Sequence, residues 1–241
     1  MSTPHLPASV VAITGAAGAL GSEVARRLAD EGYRLALFDT PRSSDRLKTL
    51  AGELGDACVI EADLNDPKMW DGALAKIELA FGTRPTHGVL IAGGWKGGAP
   101  LHEADESVWT AMMSSNAETA YRSLRALLPS MVAKKNGSIV VVGSRVVERP
   151  WTSANAAAYA ASKAAVVAMA QAVAAEVLKS GVRVNAILPS TLDTPANRAS
   201  MPKADPTKWV TTTSAASVIA FLLSDASKDV SGAALPVYGQ S

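Results

Sequence analysis

The sequence predicts an α/β domain: a doubly wound parallel sheet of about seven strands with helices on both faces. Three observations predict it. Short aliphatic runs alternate with longer amphipathic segments along the whole chain, the order expected of parallel strands joined by right-handed crossovers. The run Ser138–Val142 is nearly all aliphatic, as in a strand covered on both sides. The chain is 241 residues long, with no internal repeat, linker or low-complexity tract, so residues 1–241 read as a single domain.

Taken in order, Val10–Thr14, Arg34–Phe38, Ala57–Glu61, Gly88–Ile91, Ser138–Val142, Val182–Leu188 and Ala234–Val237 are aliphatic and short enough for strands. Between them, Leu20–Glu31, Ser44–Leu54, Pro67–Phe81, Glu106–Lys134, Ala156–Lys179 and Thr213–Ser224 carry the longer helical period. Residues 189–209 break the alternation. Pro189, Pro195, Pro202 and Pro206 interrupt any long period there, and the segment leaves the C-terminal end of a predicted strand. Open α/β sheets bind ligands at those ends, so this stretch is expected to be a lid loop over a substrate.

Composition removes several classes of function. Net charge is +1 with no basic run, which argues against nucleic acid or an anionic membrane as main partner. Aromatics make up only 5%, so the core is expected to be aliphatic and alanine-rich. Cys58 is the single cysteine, which leaves no internal disulfide, and it sits in a predicted strand as a small buried hydrophobe. Met1–Ser9 lacks a charged segment followed by an apolar one, so no signal peptide is expected. Ala154–Val177 is alanine-rich but contains Tyr159, Lys163 and Glu176, and reads as a packed helix rather than a membrane span. No metal site is expected, and the reading is of a soluble cytoplasmic protein.

The first strand runs into Thr14-Gly15-Ala16-Ala17-Gly18-Ala19-Leu20-Gly21, and a helix follows. Glycines in that position permit a tight turn and close approach of backbone to a pyrophosphate, and the helix start offers free N–H groups and a positive dipole end. Strand before and helix after supply the required context for a Rossmann-like dinucleotide site. Asp39 lies 18 positions beyond Gly21, near the offset of the acid that bonds the adenosine ribose hydroxyls. Such a carboxylate repels a 2′-phosphate, so NAD(H) is favoured as cofactor. Arg42 nearby would accept that phosphate and leaves NADP(H) open. Asp63, after the third strand, reads equally as a contact to adenine or as a turn cap.

The chemistry is placed further along. Tyr159 and Lys163 are four residues apart on a predicted helix and share a face. A free phenol has a pKa of about 10, and a nearby ammonium is expected to bring it towards neutrality as an acid–base group. Ser144 follows the fifth strand, 15 residues before Tyr159, where its hydroxyl would hold a carbonyl beside the phenol. Asn116 lies inside the long fourth-to-fifth crossover. Its amide is expected to open that helix locally and hold a water for proton relay.

With these residues in place, the sequence resembles the short-chain dehydrogenase/reductase family over essentially its whole length. The matching features are Thr14–Gly21, Asp39, Asp63, Ala92-Gly93, Asn116, Ser144, Tyr159, Lys163, Asn185, Pro189 and Thr194. The resemblance implies a Ser144–Tyr159–Lys163 catalytic group helped by Asn116. It implies cofactor contacts from Gly15, Ala17, Ala19, Leu20, Gly21, Asp39, Asp63, Leu64, Ala92, Gly93, Tyr159 and Lys163, with Pro189 and Thr194 near the nicotinamide. There are departures. Ala19 stands where the middle glycine is usual, Leu90-Ile91 replaces Asn-Asn, Ser190 replaces glycine, and the Ser144–Tyr159 separation is two residues longer than the common one.

Within the family, Gly18–Ser22, Ala92–Gly98 and Leu188–Asp205 with Trp209 are similar to dihydropteridine reductases, although these typically carry alanine in place of Ser144. The expected activity is hydride transfer between NAD(H) and a small organic substrate, with quinonoid dihydropterin as first choice. A ketone or 3-oxoacyl thioester reductase is the alternative, and a non-catalytic dinucleotide sensor the third reading. Trp95, Trp151 and Trp209 are expected to form an aromatic pocket for a flat ring. Alanines along Ala156–Lys179 suggest close helix pairing in a homodimer or homotetramer.

Overall fold

The computed structural model describes residues 9–240; the extreme N-terminus, on which the signal-peptide expectation bears, and the last residue lie outside them. Seven strands form one parallel sheet in the order β3-β2-β1-β4-β5-β6-β9. They are β1 (Val10–Thr14), β2 (Arg34–Asp39), β3 (Ala57–Glu61), β4 (His87–Leu90), β5 (Gly137–Val142), β6 (Val182–Pro189) and β9 (Ala234–Val237). Every residue of β1 and β5 is buried, which is why those segments carry no alternating polar face.

Helices cover both faces. α1 (Ala19–Asp30), α2 (Ser44–Leu54) and α8 (Thr212–Leu223) pack Leu28, Leu47 and Ile219 against Val11, Ile13 and Leu37 of the sheet. On the other face, α3 (Met69–Phe81), α5 (Thr119–Lys134) and α6 (Ala157–Val177) pack Ile77, Leu127 and Ala170 against Phe38, Ile139 and Val184. With its terminal turn, α6 is long and apolar enough to cross a membrane. It packs on the sheet instead, burying Val166, Val167, Ala170 and Ala174.

The chain leaves β3 and returns on the opposite side of β1 to form β4, so strand order reverses between β1 and β4. The crevice at that reversal lies outside the strand C-termini, where Thr14 of β1 is in register with Leu90 of β4.

One expectation is met and one needs correction. The predicted helix 106–134 opens locally around Asn116, as expected. α4 (Glu106–Met112) and α5 are separated by a π-helical turn, Met113–Glu118, with Asn116 inside it. The segment 189–209 is not an irregular loop. It contains β7 (Leu192–Asp193), α7 (Pro195–Ser200) and a 3-10 turn at Pro206–Lys208. β8 (Val210–Thr211) follows and pairs with β7 in parallel. Two of the four prolines mark helix starts: Pro195 is the first residue of α7 behind a Thr194 cap, and Pro206 opens the 3-10 turn behind an Asp205 cap.

Candidate active site

Above the β1–β4 reversal lies a cleft of about 690 Å³. Gly15, Ala17, Ala19, Leu20, Gly21, Asp39, Leu64, Ala92, Gly93 and Thr194 line it, as the sequence suggested. The turn admits no bulk. Gly15 has φ 69, and a Cβ there would lie 3.0 Å from Ala92 N; a Cβ on Gly21 would lie 2.1 Å from Gly15 O. Gly18 caps α1 without any side-chain hydrogen bond, so the helix start faces the cleft with backbone donors. Thr14 Oγ1 accepts from Ile91 N and Ala92 N at 3.0 and 3.1 Å, joining the walls from β1 and β4. This cradle fits a dinucleotide pyrophosphate.

At the adenosine end, Asp39 Oδ2 accepts from Ala17 N at 2.9 Å and Oδ1 from Thr40 N at 2.8 Å. Each oxygen keeps acceptor capacity for a ribose hydroxyl. The arginine at this end is not Arg42, which is exposed outside the cleft lining, but Arg46, which lines the cleft and donates to Ser43 Oγ at 2.8 Å. Sequence reasoning missed both Ser43 and Arg46. The only available signal was the helical spacing of α2, which brings Arg46 one turn beyond Arg42. Asp63 builds a turn: its Oδ1 accepts from Asn65 N at 2.9 Å, and it is exposed while neighbours Ala62 and Leu64 line the cleft. Pro189 is buried at the end of β6 and forms no part of that lining.

At the chemical end, Lys163 is buried and its Nζ donates to Val142 O at 2.8 Å. The ammonium reaches the cleft floor, because a Cβ on Gly93 would lie 3.6 Å from Nζ. Burial pushes Lys163 down to about 8. Ser144 starts the turn after β5, its Oγ accepting from Val146 N at 3.4 Å, and its hydroxyl acts on the Tyr159 phenol. Burial holds that phenol above its ordinary value, and the Ser144 hydroxyl opposes the rise. Lys163 Nζ is anchored on Val142 O, and burial is the largest influence on the phenol.

Asn116 is 1% exposed, and its side chain bonds protein groups on two elements. Nδ2 donates to Gly94 O at 3.1 Å and to Ser162 Oγ at 3.0 Å, while Oδ1 accepts from Gly94 N at 3.0 Å. Both amide protons have protein acceptors, and the side chain ties the loop after β4 to α6 while Oδ1 keeps a second lone pair. The tryptophans divide. Trp95 is 65% exposed and Trp151 76%, in the segments that follow β4 and precede α6, whereas Trp209 is only 8% exposed and does not stand open at the mouth. The two segments meet where Gly98 N donates to Asn155 O at 2.8 Å.

Comparison with known proteins adds a family. Residues 15–239 match a family model described as enoyl-(acyl carrier protein) reductase. The chain is 32% identical to 2,5-dichloro-2,5-cyclohexadiene-1,4-diol dehydrogenase LinX of Sphingobium indicum, over 98% of this chain and 96% of the relative. It is 31% identical to the 3-oxoacyl-acyl-carrier-protein reductase MabA of Mycobacterium tuberculosis, over 98% of this chain and 94% of that protein. Among solved structures, 3-ketoacyl-(acyl-carrier-protein) reductase from Brucella melitensis complexed with NADH superposes with a TM-score of 0.85 at 27% identity, covering 96% of this chain and 97% of that one.

Proposed function

The chain belongs to the short-chain dehydrogenase/reductase family of NAD(P)-dependent oxidoreductases, and we propose that it interconverts a carbonyl and an alcohol on a small organic substrate with NAD(H). The observation that carries this reading is the placement of the Ser144 hydroxyl where it acts on the half-buried Tyr159 phenol, on the same helix as the buried Lys163. Two hydroxyls converging at one point suit a carbonyl oxygen, which accepts from both.

A nicotinamide held here would supply or accept the hydride at the carbonyl carbon. Tyr159 gives its proton to the oxygen as the C–H bond forms, and the product is the alcohol. Burial keeps the phenol protonated near neutral pH, which suits a donor. Ser144 holds the carbonyl oxygen, and Lys163 would hold the nicotinamide ribose. Gly15–Gly21 would take the pyrophosphate and Asp39 the adenosine ribose. Asp39 favours NADH, and Arg46 beside it is what would let NADPH compete. The relatives named above act on ring diols and 3-oxoacyl thioesters, which suits this substrate class.

The pterin reading keeps one specific support. Ala92–Gly98 and Leu188–Asp205 resemble dihydropteridine reductases, and Trp95 and Trp151 stand open beside the start of α6 to stack on a flat ring. One experiment separates the readings: NADH oxidation with a 3-oxobutanoyl thioester, a cyclic ketone and quinonoid dihydropterin, repeated with Ser144→Ala. The carbonyl reading requires turnover of a ketone or thioester and its loss in the variant. Turnover of the pterin alone, unaffected by Ser144→Ala, would establish the second reading instead. NADH binding without turnover of any of the three would mark a sensor.

The enzyme is also proposed to act as a homodimer or homotetramer. Exposed Trp109 and Tyr121 on α4 and α5 support this, as apolar surface suited to a second copy. A monomeric mass by light scattering at micromolar concentration would contradict it.

A further inference from the structure

Residues 238–240 touch three segments: the turn that follows Ser144, the residue just past β6, and the lid. Tyr238 follows β9. Its hydroxyl donates to Glu148 Oε2, and the Arg149 guanidinium lies over its ring, 5.1 Å from the centroid. Both partners belong to the turn that begins at Ser144. The Tyr238 carbonyl accepts from Ser190 Oγ at 2.7 Å, just past the end of β6. Two residues on, Gln240 N donates to Lys208 O at 3.1 Å, in the 3-10 turn of the lid segment. Between them Gly239 has φ 60, and a Cβ there would lie 3.0 Å from Lys208 O and 3.4 Å from the Trp209 backbone, so the tail runs flush against the lid.

We propose that Tyr238–Gly239–Gln240 is a strut that sets the gap between the Ser144 turn and the lid, and thereby determines which substrates reach Tyr159. Ser144 and Lys208 are 64 residues apart in the chain, and this tail, arriving from the sheet edge, bonds to the segment of each. A hydrogen bond to a carboxylate is among the stronger kinds, and stacking of Arg149 on the same ring restrains its orientation. Burial and the neighbouring Glu148 carboxylate push the Tyr238 phenol up to about 12, so it remains a donor throughout the working pH range. The tail bonds the lid at Lys208, away from Thr194, Pro195 and Ala196, through which the lid lines the dinucleotide cleft, so its effect is expected on substrate before cofactor. Tyr238 is in these terms a positioning residue. The inference rests on Tyr159 as the place of chemistry.

The test uses the full chain and three variants. Tyr238→Phe removes the hydroxyl and keeps the ring, Glu148→Ala removes its acceptor, and Gln240→Pro removes the N–H that bonds Lys208. Amide hydrogen exchange should accelerate about tenfold in both 145–153 and 206–211 in Tyr238→Phe, with α1 unchanged. With NADH and a 3-oxobutanoyl thioester, KM for the thioester should rise about fivefold while kcat and KM for NADH stay within about twofold. Glu148→Ala should reproduce Tyr238→Phe, and the double variant should be no worse than either. Gln240→Pro should loosen 206–211 first. Unchanged exchange in both segments overturns the strut, as does acceleration that spreads to α1 or a loss confined to kcat. Tyr159→Phe serves as control: it should lose turnover with exchange unaltered. Should the parent protein not turn over the thioester, the substrate reading fails, and the exchange experiment alone still decides for or against the strut.

Discussion

Around the glycine turn the cleft is shaped by main chain: Gly21 leaves 2.1 Å between a would-be Cβ and Gly15 O, and the pyrophosphate cradle is made of N–H groups at the start of α1. Around Tyr159 it is shaped by side chains from distant places. Ser144 reaches the phenol from the end of β5, Lys163 reaches back to Val142 O, and Asn116 joins the loop after β4 to α6. A main-chain site tolerates almost no substitution but is indifferent to what the substrate is. A side-chain site can be retuned one hydrogen bond at a time. Damage to the first should therefore abolish cofactor binding, whereas removal of the Tyr159 hydroxyl in the second should leave binding intact and alter chemistry alone.

The largest effect expected is at Tyr159. Tyr159→Phe should fold, bind NADH with unchanged affinity and lose about 10²–10⁴-fold in kcat. Steady-state kinetics beside a fluorescence titration of NADH would check both halves, and parallel loss of affinity would break the separation. Next comes Gly21→Ala. The added methyl has no space, so NADH affinity should fall by on the order of 100-fold and stability by about 1–3 kcal/mol. Calorimetry would measure the first and urea unfolding the second.

Smaller and more selective is Asp39→Ala. It should cost NADH about tenfold in affinity, near 1.4 kcal/mol, while affinity for NADPH holds or improves because Arg46 then faces the 2′-phosphate unopposed. A parent protein that already prefers NADPH would reverse the assignment.

The smallest effect is thermal. Lys163 is buried, and its folded-state value of about 8 lies below the ordinary lysine value. Between roughly pH 8 and 10.4 the unfolded chain holds more protons there than the folded one, so stability at this site rises with pH across that window. Lys163→Met should therefore melt about 2–4 °C higher than the parent at pH 7, with the difference shrinking as pH rises towards 10. It should also lose activity. Scanning calorimetry of both proteins at pH 7 and pH 9.5 would sharpen the contrast between a site arranged for chemistry and one arranged for stability.

What was legible in the chain follows the same division. β1 and β5 announced themselves because a strand buried on both faces must be aliphatic throughout, and the glycine turn because local backbone geometry permits few other residues. Tyr159 and Lys163 share one helix, so spacing sufficed. The errors lie where partners are far apart. Arg46 replaces Arg42 because the folding of α2 against β2, not proximity to Asp39 in sequence, decides which guanidinium faces the cleft. The lid was read as irregular because its prolines break a long helical period, yet Thr194 and Asp205 use them to start short ones. Nothing local in the sequence tied Tyr238 to Glu148, 90 residues earlier.

The most direct test of the central claim follows an isotope. NADH carrying deuterium at the transferable nicotinamide position should deliver it to the carbinol carbon of a ketone or 3-oxoacyl probe, and mass spectrometry of the product would read the transfer. The account predicts one deuterium per product molecule at that carbon, formed at a rate that collapses in Tyr159→Phe. Tight NADH binding with no deuterium in any product, or an unchanged rate in the variant, would contradict it.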